Sequence, residues 1–166
     1  REAIDRLKKK GMHELANPQL VGAQAVILMT IVFDEEQTDR VLRGPGGALE
    51  ALQQGSTVIV MSTVSPKYCQ RLSEEAAAKG VTLLDCPVSG LRAGAKAGTL
   101  SLLIGGDMAA IERCTAALKP LGNIMHCGDI GMGQVMKLAN NAMAIGTFSM
   151  LLEVRDLVRG YDMDIE

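Results

Sequence analysis

The stretch that decides the fold is residues 131–160, GMGQVMKLANNAMAIGTFSMLLEVRDLVRG. It contains no proline, is rich in Met, Leu and Ala, begins with Gly131 and Gly133, and ends at Gly160. This composition predicts one continuous helix that is closed by Gly160 as a C-cap. At 1.5 Å per residue the helix would be about 40 Å long. Its middle, residues 142–152, is apolar nearly all round, which is typical of a helix buried on every side.

Polar side chains lie in the first turns of this helix, at Lys137, Asn140 and Asn141. Lys137 and Asn141 are four residues apart, so both project from one face. In one interpretation Lys137 extends to solvent and the asparagines cap a loop. In the other the lysine meets polar partners in a site, because an unpaired buried ammonium costs several kcal/mol. The spacing alone leaves both interpretations open.

Composition limits the class of protein and of partner. The 166 residues are 48% hydrophobic and 22% charged, as in globular proteins, and the net charge of −2 argues against a nucleic-acid partner. The apolar run in the long helix is shorter than the roughly 20 residues of a bilayer crossing, which argues against a membrane partner. The cysteines have no CxxC spacing, which predicts free thiols and no metal site. We expect a reducing compartment, the cytoplasm, with the mitochondrial matrix or a plastid as alternatives.

The rest of the chain alternates helical and apolar segments. The apolar runs 25–31, 56–62 and 81–87 predict strands, each buried on both faces. The predicted helices are 2–10 (with Ile4 and Leu7 inward), 34–43, 48–54, the segment from Pro66 to Gly80, and 107–119. This alternation predicts an α/β fold with a parallel sheet. Ligands of such sheets bind beyond the carboxyl ends of the strands.

The third strand end is rich in glycine. Residues 85–106 have the sequence DCPVSGLRAGAKAGTLSLLIGG, in which Gly90, Gly94 and Gly98 are spaced by four. Glycines permit tight turns whose N–H groups bind anions, and Ser89 adds a hydroxyl donor. The alternative is a flexible loop that leads into the next strand.

Two motifs in this order resemble the β-hydroxyacid dehydrogenase family. They are DCPVSGLRAGAKAGTL at 85–100 and the GxGxxxKxxxN pattern that begins at Gly131 and includes Lys137 and Asn141. The segments STVSP (62–66) and GPGG (44–47) also lie where that family has similar stretches, so the resemblance covers essentially the whole chain.

The resemblance implies a fold and a domain division. The fold is α/β, with a Rossmann-like, mainly parallel sheet and flanking helices, followed by the long connecting helix of an all-α C-terminal domain. Residues 1–129 would be a partial dinucleotide-binding domain, and residues 130–166 would begin the helical domain. The long helix would mediate a homo-oligomer, since a single small domain does not cover its apolar middle.

Some features depart from the family pattern. The family begins with a GxGxxG fingerprint and a second strand, and this chain contains neither. We therefore expect an N-terminally truncated sheet and a chain that is cut at both ends. Leu91 occupies a position where the family commonly has a second glycine after Ser-Gly.

The family reaction is reversible hydride transfer between NAD or NADP and a small 3-hydroxy acid or its semialdehyde. The resemblance makes Lys137 the acid/base that takes up and returns the hydroxyl proton. Asn141 would bind the substrate from the same helix face. Ser89 and the backbone N–H of Gly90 would hold the substrate carboxylate.

The cofactor is expected at the first two strand ends. By family position, Ser62 and Thr63 would lie near the nicotinamide ribose, and Thr30 and Ile31 on the first cofactor-side loop. Capping of the helix that begins at Pro66 is the alternative role for Ser62 and Thr63.

Two other functions remain as alternatives. One is a 6-phosphogluconate dehydrogenase-like enzyme, whose phosphosugar would require more basic residues than Arg92 and Lys96 near the glycine-rich segment. The other is a non-catalytic relative that serves in oligomerisation or binding. The presence of both Lys137 and Asn141 argues against the second alternative.

Overall fold

The computed structural model describes residues 2–161. The helices are α1 (Glu2–Lys8), α2 (Pro18–Gly22), α3 (Glu35–Leu42), α4 (Pro66–Ala77), α5 (Leu91–Ala97), α6 (Met108–Leu118) and α7 (Met132–Arg159). The strands are β1 (Ile27–Thr30), β2 (Thr57–Val60), β3 (Thr82–Asp85), β4 (Val88–Ser89), β5 (Leu100–Gly105) and β6 (Gly122–Gly128).

The strands form one sheet in the order β1-β2-β3-β5-β4, and β6 pairs with β5. The pairs β1–β2, β2–β3 and β5–β6 are parallel, whereas β5 runs antiparallel to β3 and β4. The predicted Rossmann-like, mainly parallel sheet with flanking helices is confirmed. Strand β5 is the exception to the parallel direction. The chain reaches β5 from β3 through β4 and the 7-residue α5. Strand β5 then runs back along β4 and meets the end of β3 at Gly105 and Asp85.

The core lies on both faces of the sheet because successive strand residues point to opposite sides. On β2, Val58 and Val60 pack with Leu72 of α4 on one face. Ile59 packs with Ile111 of α6 on the other. The residues of β2 are fully buried, as predicted for 56–62. Because β1, β2 and β3 run parallel, their carboxyl ends lie at one edge of the sheet.

The predicted burial is wrong at the N-terminal side. In β1, Leu28 and Thr30 are buried while Ile27 and Met29 are only half-buried. The reason is that β1 lies at the edge of the sheet among the described strands and pairs with β2 alone. Ile4 and Leu7 of α1 are exposed rather than inward, because no other described element packs extensively on that helix.

Two local predictions also change. The helix predicted at 48–54 is a short 3-10 turn, Ala48–Glu50, since the chain must turn back to enter β2. The glycine-rich segment is not a flexible loop, because it contains α5. This helix ends at Gly98 in the left-handed conformation (φ 66°), which glycine adopts without strain.

The long helix is confirmed as α7, which has 28 residues. Its first turns pack on the sheet, and its later part extends away from the described core. Large apolar side chains are exposed along this later part: Met143, Ile145, Phe148, Met150, Leu151, Val154 and Leu157. No helix within residues 2–161 combines the length and the apolar composition that a bilayer crossing requires.

Candidate functional site

The first turn of α7 is held by a buried carboxylate at the end of β3. Asp85 is 0% exposed. Its Oδ1 accepts a hydrogen bond from the Gly131 N–H (2.6 Å), and its Oδ2 accepts one from the Gln134 N–H (2.7 Å). Burial raises the pKa of Asp85, and the backbone donors oppose that rise. A carboxylate is stabilising at a helix N-terminus, where N–H groups lack partners and the dipole is positive.

The two glycines at the start of α7 are explained by this packing. Gly131 has φ 91°, a left-handed conformation that favours glycine. A Cβ on Gly133 would lie 2.7 Å from Asp85 Oδ2 and would overlap the carbonyl oxygen of Leu103 on β5. The Gly-x-Gly spacing therefore allows the helix to approach the sheet closely at Asp85.

Gln134 connects α7 to the turn that follows β2. Its side chain is 0% exposed. The Nε2 donates to the carbonyl oxygen of Ser62 (2.9 Å), and the Oε1 accepts from the Val64 N–H (3.0 Å). The Ser62 Oγ in turn accepts from the N–H of Val32, beyond β1 (2.8 Å). Hydrogen bonds thus join the ends of three neighbouring strands to the start of α7.

Lys137 lies one turn beyond Gln134. Its side chain is half-buried, as is that of Asn141 a further turn along, whereas Asn140 is exposed. Desolvation lowers the pKa of Lys137. Among residues 2–161, no carboxylate lies within ion-pairing distance of the Lys137 amine. A lysine with a lowered pKa and no ion-pair partner is suited to exchange a proton with a ligand.

Ser89 and Gly90 lie at and just beyond β4, which pairs with β5. Ser89 belongs to β4 and is paired with Ser101 of β5. Gly90 is exposed, with φ 129°. Gly133 of α7 approaches β5 at Leu103, two residues from Ser101, which is about 7 Å along a strand. The same stretch of β5 therefore supports both predicted parts of the site, and the convergence of Lys137 with Ser89 remains a prediction.

Leu91 directly follows the Ser89–Gly90 pair. It has φ 54°, and its side chain is 89% exposed. A left-handed conformation is a rare choice for a bulky residue and costs about 1 kcal/mol or more. The backbone at this position therefore has the shape that suits the glycine common in the family.

The four residues predicted at the cofactor side differ in exposure. Ile31 and Thr63 are exposed, whereas Thr30 and Ser62 are buried. Ser62 lies behind the strand ends, where its Oγ bonds the Val32 N–H. Ser65 is the N-cap residue of α4 and makes no side-chain capping bond. Neither Ser62 nor Thr63 is therefore the N-cap residue of that helix.

Thr30 has an open hydrogen-bonding position. Its Oγ1 is buried without a partner among the described residues. Thr30, Ile31 and Val32 line part of a mostly apolar cavity of about 490 Å³ beside β1. Buried hydroxyls are normally hydrogen-bonded. The Thr30 hydroxyl therefore has unused hydrogen-bonding capacity beside this cavity.

No group of three or more His, Cys, Asp or Glu side chains that could hold a metal ion occurs within residues 2–161. Another cavity, of about 630 Å³, is lined by Asp107, Asp129 and parts of α4 and β3, and Lys137 does not line it.

Two residues of the site have no role in the sequence-based prediction. In that prediction Asp85 is only the first residue of the glycine-rich segment, and Gln134 is a position without a role between Gly133 and Lys137. An acidic residue at the end of a buried apolar strand was the available signal, because a buried carboxylate requires donors. The partner of Gln134 lies 70 residues away in sequence and leaves no local pattern.

Comparisons with known proteins show which family the chain resembles. Residues 1–136 match the family described as the NAD binding domain of 6-phosphogluconate dehydrogenase. The 2-(hydroxymethyl)glutarate dehydrogenase of Eubacterium barkeri is 36% identical over 135 residues, which is 81% of this chain and 45% of that protein. The 3-sulfolactaldehyde reductase of Escherichia coli is 33% identical over 166 residues, which is 99% of this chain and 56% of that protein. The chain spans about half the length of these curated relatives.

A solved structure shows the same fold. The 3-hydroxyisobutyrate dehydrogenase of Mycobacterium tuberculosis, solved with L-serine, has a TM-score of 0.80 and 29% identity. The match covers 89% of this chain and 50% of that one. From its NAD-binding family match, its curated relatives and its fold, the chain belongs to the β-hydroxyacid dehydrogenase family.

Proposed function

We propose that this chain forms part of an oxidoreductase that transfers a hydride between NAD or NADP and a small 3-hydroxy acid or its semialdehyde. The observation that carries the proposal is the position of Lys137. This half-buried lysine has a lowered pKa. It lies one turn beyond Gln134, where the start of α7 is bonded to Asp85. That contact is at the edge of the sheet where the ligands of such folds bind.

Each predicted residue has a distinct part in the reaction. During oxidation the neutral amine of Lys137 accepts the proton of the substrate hydroxyl, and during reduction the ammonium returns it. Asn141, one turn further on the same face, hydrogen-bonds the substrate. Ser89 and the Gly90 N–H hold the carboxylate and so orient the carbinol carbon.

The strand ends form the cofactor side of the site. The bound nicotinamide supplies the acceptor or donor of the hydride. Thr63 and Ile31 are exposed, and the unpartnered Thr30 hydroxyl has a hydrogen-bonding position to offer. These three residues would contact the ribose or the nicotinamide. Ser62 would act behind them by fixing the turn through Val32.

A substrate panel tests the proposal. The full-length protein is assayed with NAD and with NADP against three- to five-carbon 3-hydroxy acids and against 6-phosphogluconate. We expect turnover of the small acids. Turnover of 6-phosphogluconate alone would support the phosphosugar alternative, for which Arg92 and Lys96 on α5 would be the basic residues. Absence of turnover on the whole panel would favour the non-catalytic alternative.

We also propose that α7 begins a second, helical domain and pairs with a second copy of the chain. The apolar side chains of its later part lie on several sides of the helix and are exposed, with Ile145 at 66% and Phe148 at 63%. Exposed apolar patches of this kind mark protein contacts. Two copies of one helix offer each other matching apolar surfaces, as a two-fold interface requires.

A reducing compartment, the cytoplasm or an organelle matrix, fits the cysteines. Cys69, Cys86 and Cys114 are buried free thiols. Burial raises the pKa of Cys69 and that of Cys86 to about 12. These thiols therefore stay protonated at neutral pH, which makes them inert core residues.

A further inference from the structure

The side chain of Gln134 is a buried amide, and both of its polar atoms are hydrogen-bonded. It is fully buried, and its oxygen and nitrogen bond the backbone of residues on either side of Thr63, namely Val64 and Ser62. Its own backbone N–H bonds Asp85. An apolar side chain of equal size would fill the same space. The amide additionally specifies one position of the Ser62–Val64 turn relative to α7, because both bonds form only in that arrangement.

This arrangement connects two parts of the site that come from distant segments. Thr63, between the two bonded residues, is exposed at the predicted cofactor side. Lys137 follows Gln134 by three residues, about one helical turn. A single side chain thus spans from the cofactor-side turn to the turn of α7 that precedes the acid/base.

We propose that Gln134 is a positioning residue for hydride transfer, which holds the Ser62–Val64 turn at a fixed distance from Lys137. The proposal rests on the proposed function of Lys137 and Thr63. Gln134 touches neither substrate nor cofactor. It acts by keeping the surface that faces the nicotinamide and the group that moves the proton in one rigid unit, and Asp85 holds the helix end of that unit. A displacement of about 1 Å in such a unit can lower a rate by about 100-fold.

The first test compares two Gln→Met substitutions in the full-length protein. Gln134→Met keeps the length of the side chain and removes both amide bonds. We expect the single-turnover rate per folded molecule to fall by about 10- to 100-fold, with a much smaller change in the substrate KM. Gln70→Met is the matched control, because Gln70 is exposed and its amide reaches Ile130 O near the same junction at 3.5 Å. A merely structural role would reduce the amount of folded protein and leave the rate per folded molecule unchanged.

The second test is rescue by protonation. In Gln134→Glu, the protonated acid can accept from Val64 N–H and donate to Ser62 O, as the amide does, whereas the carboxylate cannot donate. The titratable groups around this position are Asp85 on β3, Cys69 on α4, Glu35 on α3 and Lys137, one turn further along α7.

The sign of the pH effect follows from these neighbours. Burial and the nearby carboxylates raise the pKa of an introduced glutamic acid. The rate of Gln134→Glu relative to wild type at each pH should therefore rise as the pH falls through that raised pKa. A ratio that does not change with pH would overturn the proposal.

A measurement on the wild-type protein remains decisive if either variant fails to fold. The Val64 N–H is released when the turn leaves the Gln134 side chain, and the Gln134 N–H is released when α7 leaves Asp85. If turn, helix start and β3 form one rigid unit, both amides should exchange slowly and with similar protection factors. Rapid exchange at Val64 alone would overturn the proposal. Failure of the positioning role of Gln134 can be told apart from failure of the proposed oxidoreductase function. If Lys137→Ala is inactive while folded Gln134→Met keeps the wild-type rate, only the positioning role is lost.

Discussion

The N–H of Gly131 donates a 2.6 Å hydrogen bond to Oδ1 of Asp85, 46 residues earlier in the chain. This contact sets where α7 begins and, because a helix is rigid, where its second turn projects. The carboxyl end of β3 therefore fixes the position of Lys137. The start of α7 and the strand ends thus form one unit.

Removal of the Lys137 amine should abolish most of the chemistry. Lys137→Ala in the full-length protein is expected to lower the rate of hydride transfer by about 10²–10⁴-fold, the range for a positioned acid/base. Dinucleotide affinity should change little, because the lysine serves the substrate. Single-turnover absorbance of the reduced nicotinamide and fluorescence titration measure the two quantities. Lys67→Ala, which removes an exposed lysine on α4, is the control, and a near-normal rate for Lys137→Ala would remove the centre of the proposed site.

Loss of the Ser89 hydroxyl should act on binding. Ser89→Ala removes one donor to the substrate carboxylate, and a hydrogen bond to a charged group contributes about 1.5–3 kcal/mol. We expect the KM of the hydroxy acid to rise by about 10- to 100-fold, with a small effect on the maximal rate. Steady-state kinetics measure this. Ser73→Ala on α4 should leave KM unchanged, and a Ser89→Ala enzyme with normal KM would contradict the assignment.

The pH dependence should reflect the desolvated lysine. Desolvation lowers the pKa of Lys137, so the neutral amine forms at a lower pH than in free lysine, whose pKa is about 10.4. Oxidation, which requires the amine, should rise with pH to half-maximum below that value. Reduction, which requires the ammonium, should fall over the same range.

The lowered pKa of Lys137 also makes the free energy of unfolding depend on pH. The folded state binds fewer protons than the unfolded state between the two pKa values of Lys137, so its contribution to stability increases with pH in that window. Lys137→Arg carries a permanent charge and should lose the pH dependence of the rate. An unchanged profile in that variant would assign the titration to another group.

Two glycines of α7 should respond oppositely to alanine. Gly133→Ala places a methyl group against Leu103 O and the Asp85 carboxylate, and overpacking of this kind costs about 1–3 kcal/mol. Gly146→Ala meets nothing within 4 Å and should stabilise the helix by about 0.5–1 kcal/mol. Denaturant unfolding of the full-length protein measures both. Equal effects would show that the start of α7 does not approach the sheet as described.

The apolar part of α7 should control assembly. Phe148→Glu places a charge among exposed apolar residues, which a partner copy could not bury without a large cost. Light scattering after size exclusion should show a smaller mass for this variant than for wild type at equal concentration. Phe33→Glu, at a phenylalanine that is 88% exposed elsewhere, should keep the wild-type mass. A monomeric wild type would contradict the proposed pairing.

The sequence was sufficient for much of the fold. Continuous apolar runs identified β2 and β3, and the proline-free run with terminal glycines identified α7. The pattern GxGxxxKxxxN and the DCPVSG segment indicated the family. These features are local, so composition and spacing carry them.

The direction of β5 and the partial burial of β1 became clear only from the tertiary structure. The sequence does not state that β5 runs antiparallel to β3, because an apolar run is equally compatible with either direction. Likewise, 25–31 has the composition of a central strand, yet β1 has only one neighbour among the described strands. Burial depends on what lies alongside a strand.

By itself, the sequence indicated the main strands and helices, the family and the candidate residues Lys137, Asn141, Ser89 and Gly90. Only the tertiary structure revealed that Asp85 caps α7 and that Gln134 bonds the backbone around Thr63. The physical reason is that a buried polar group must find its partner wherever the fold brings one. Such partners are set by three-dimensional proximity, which no local pattern records.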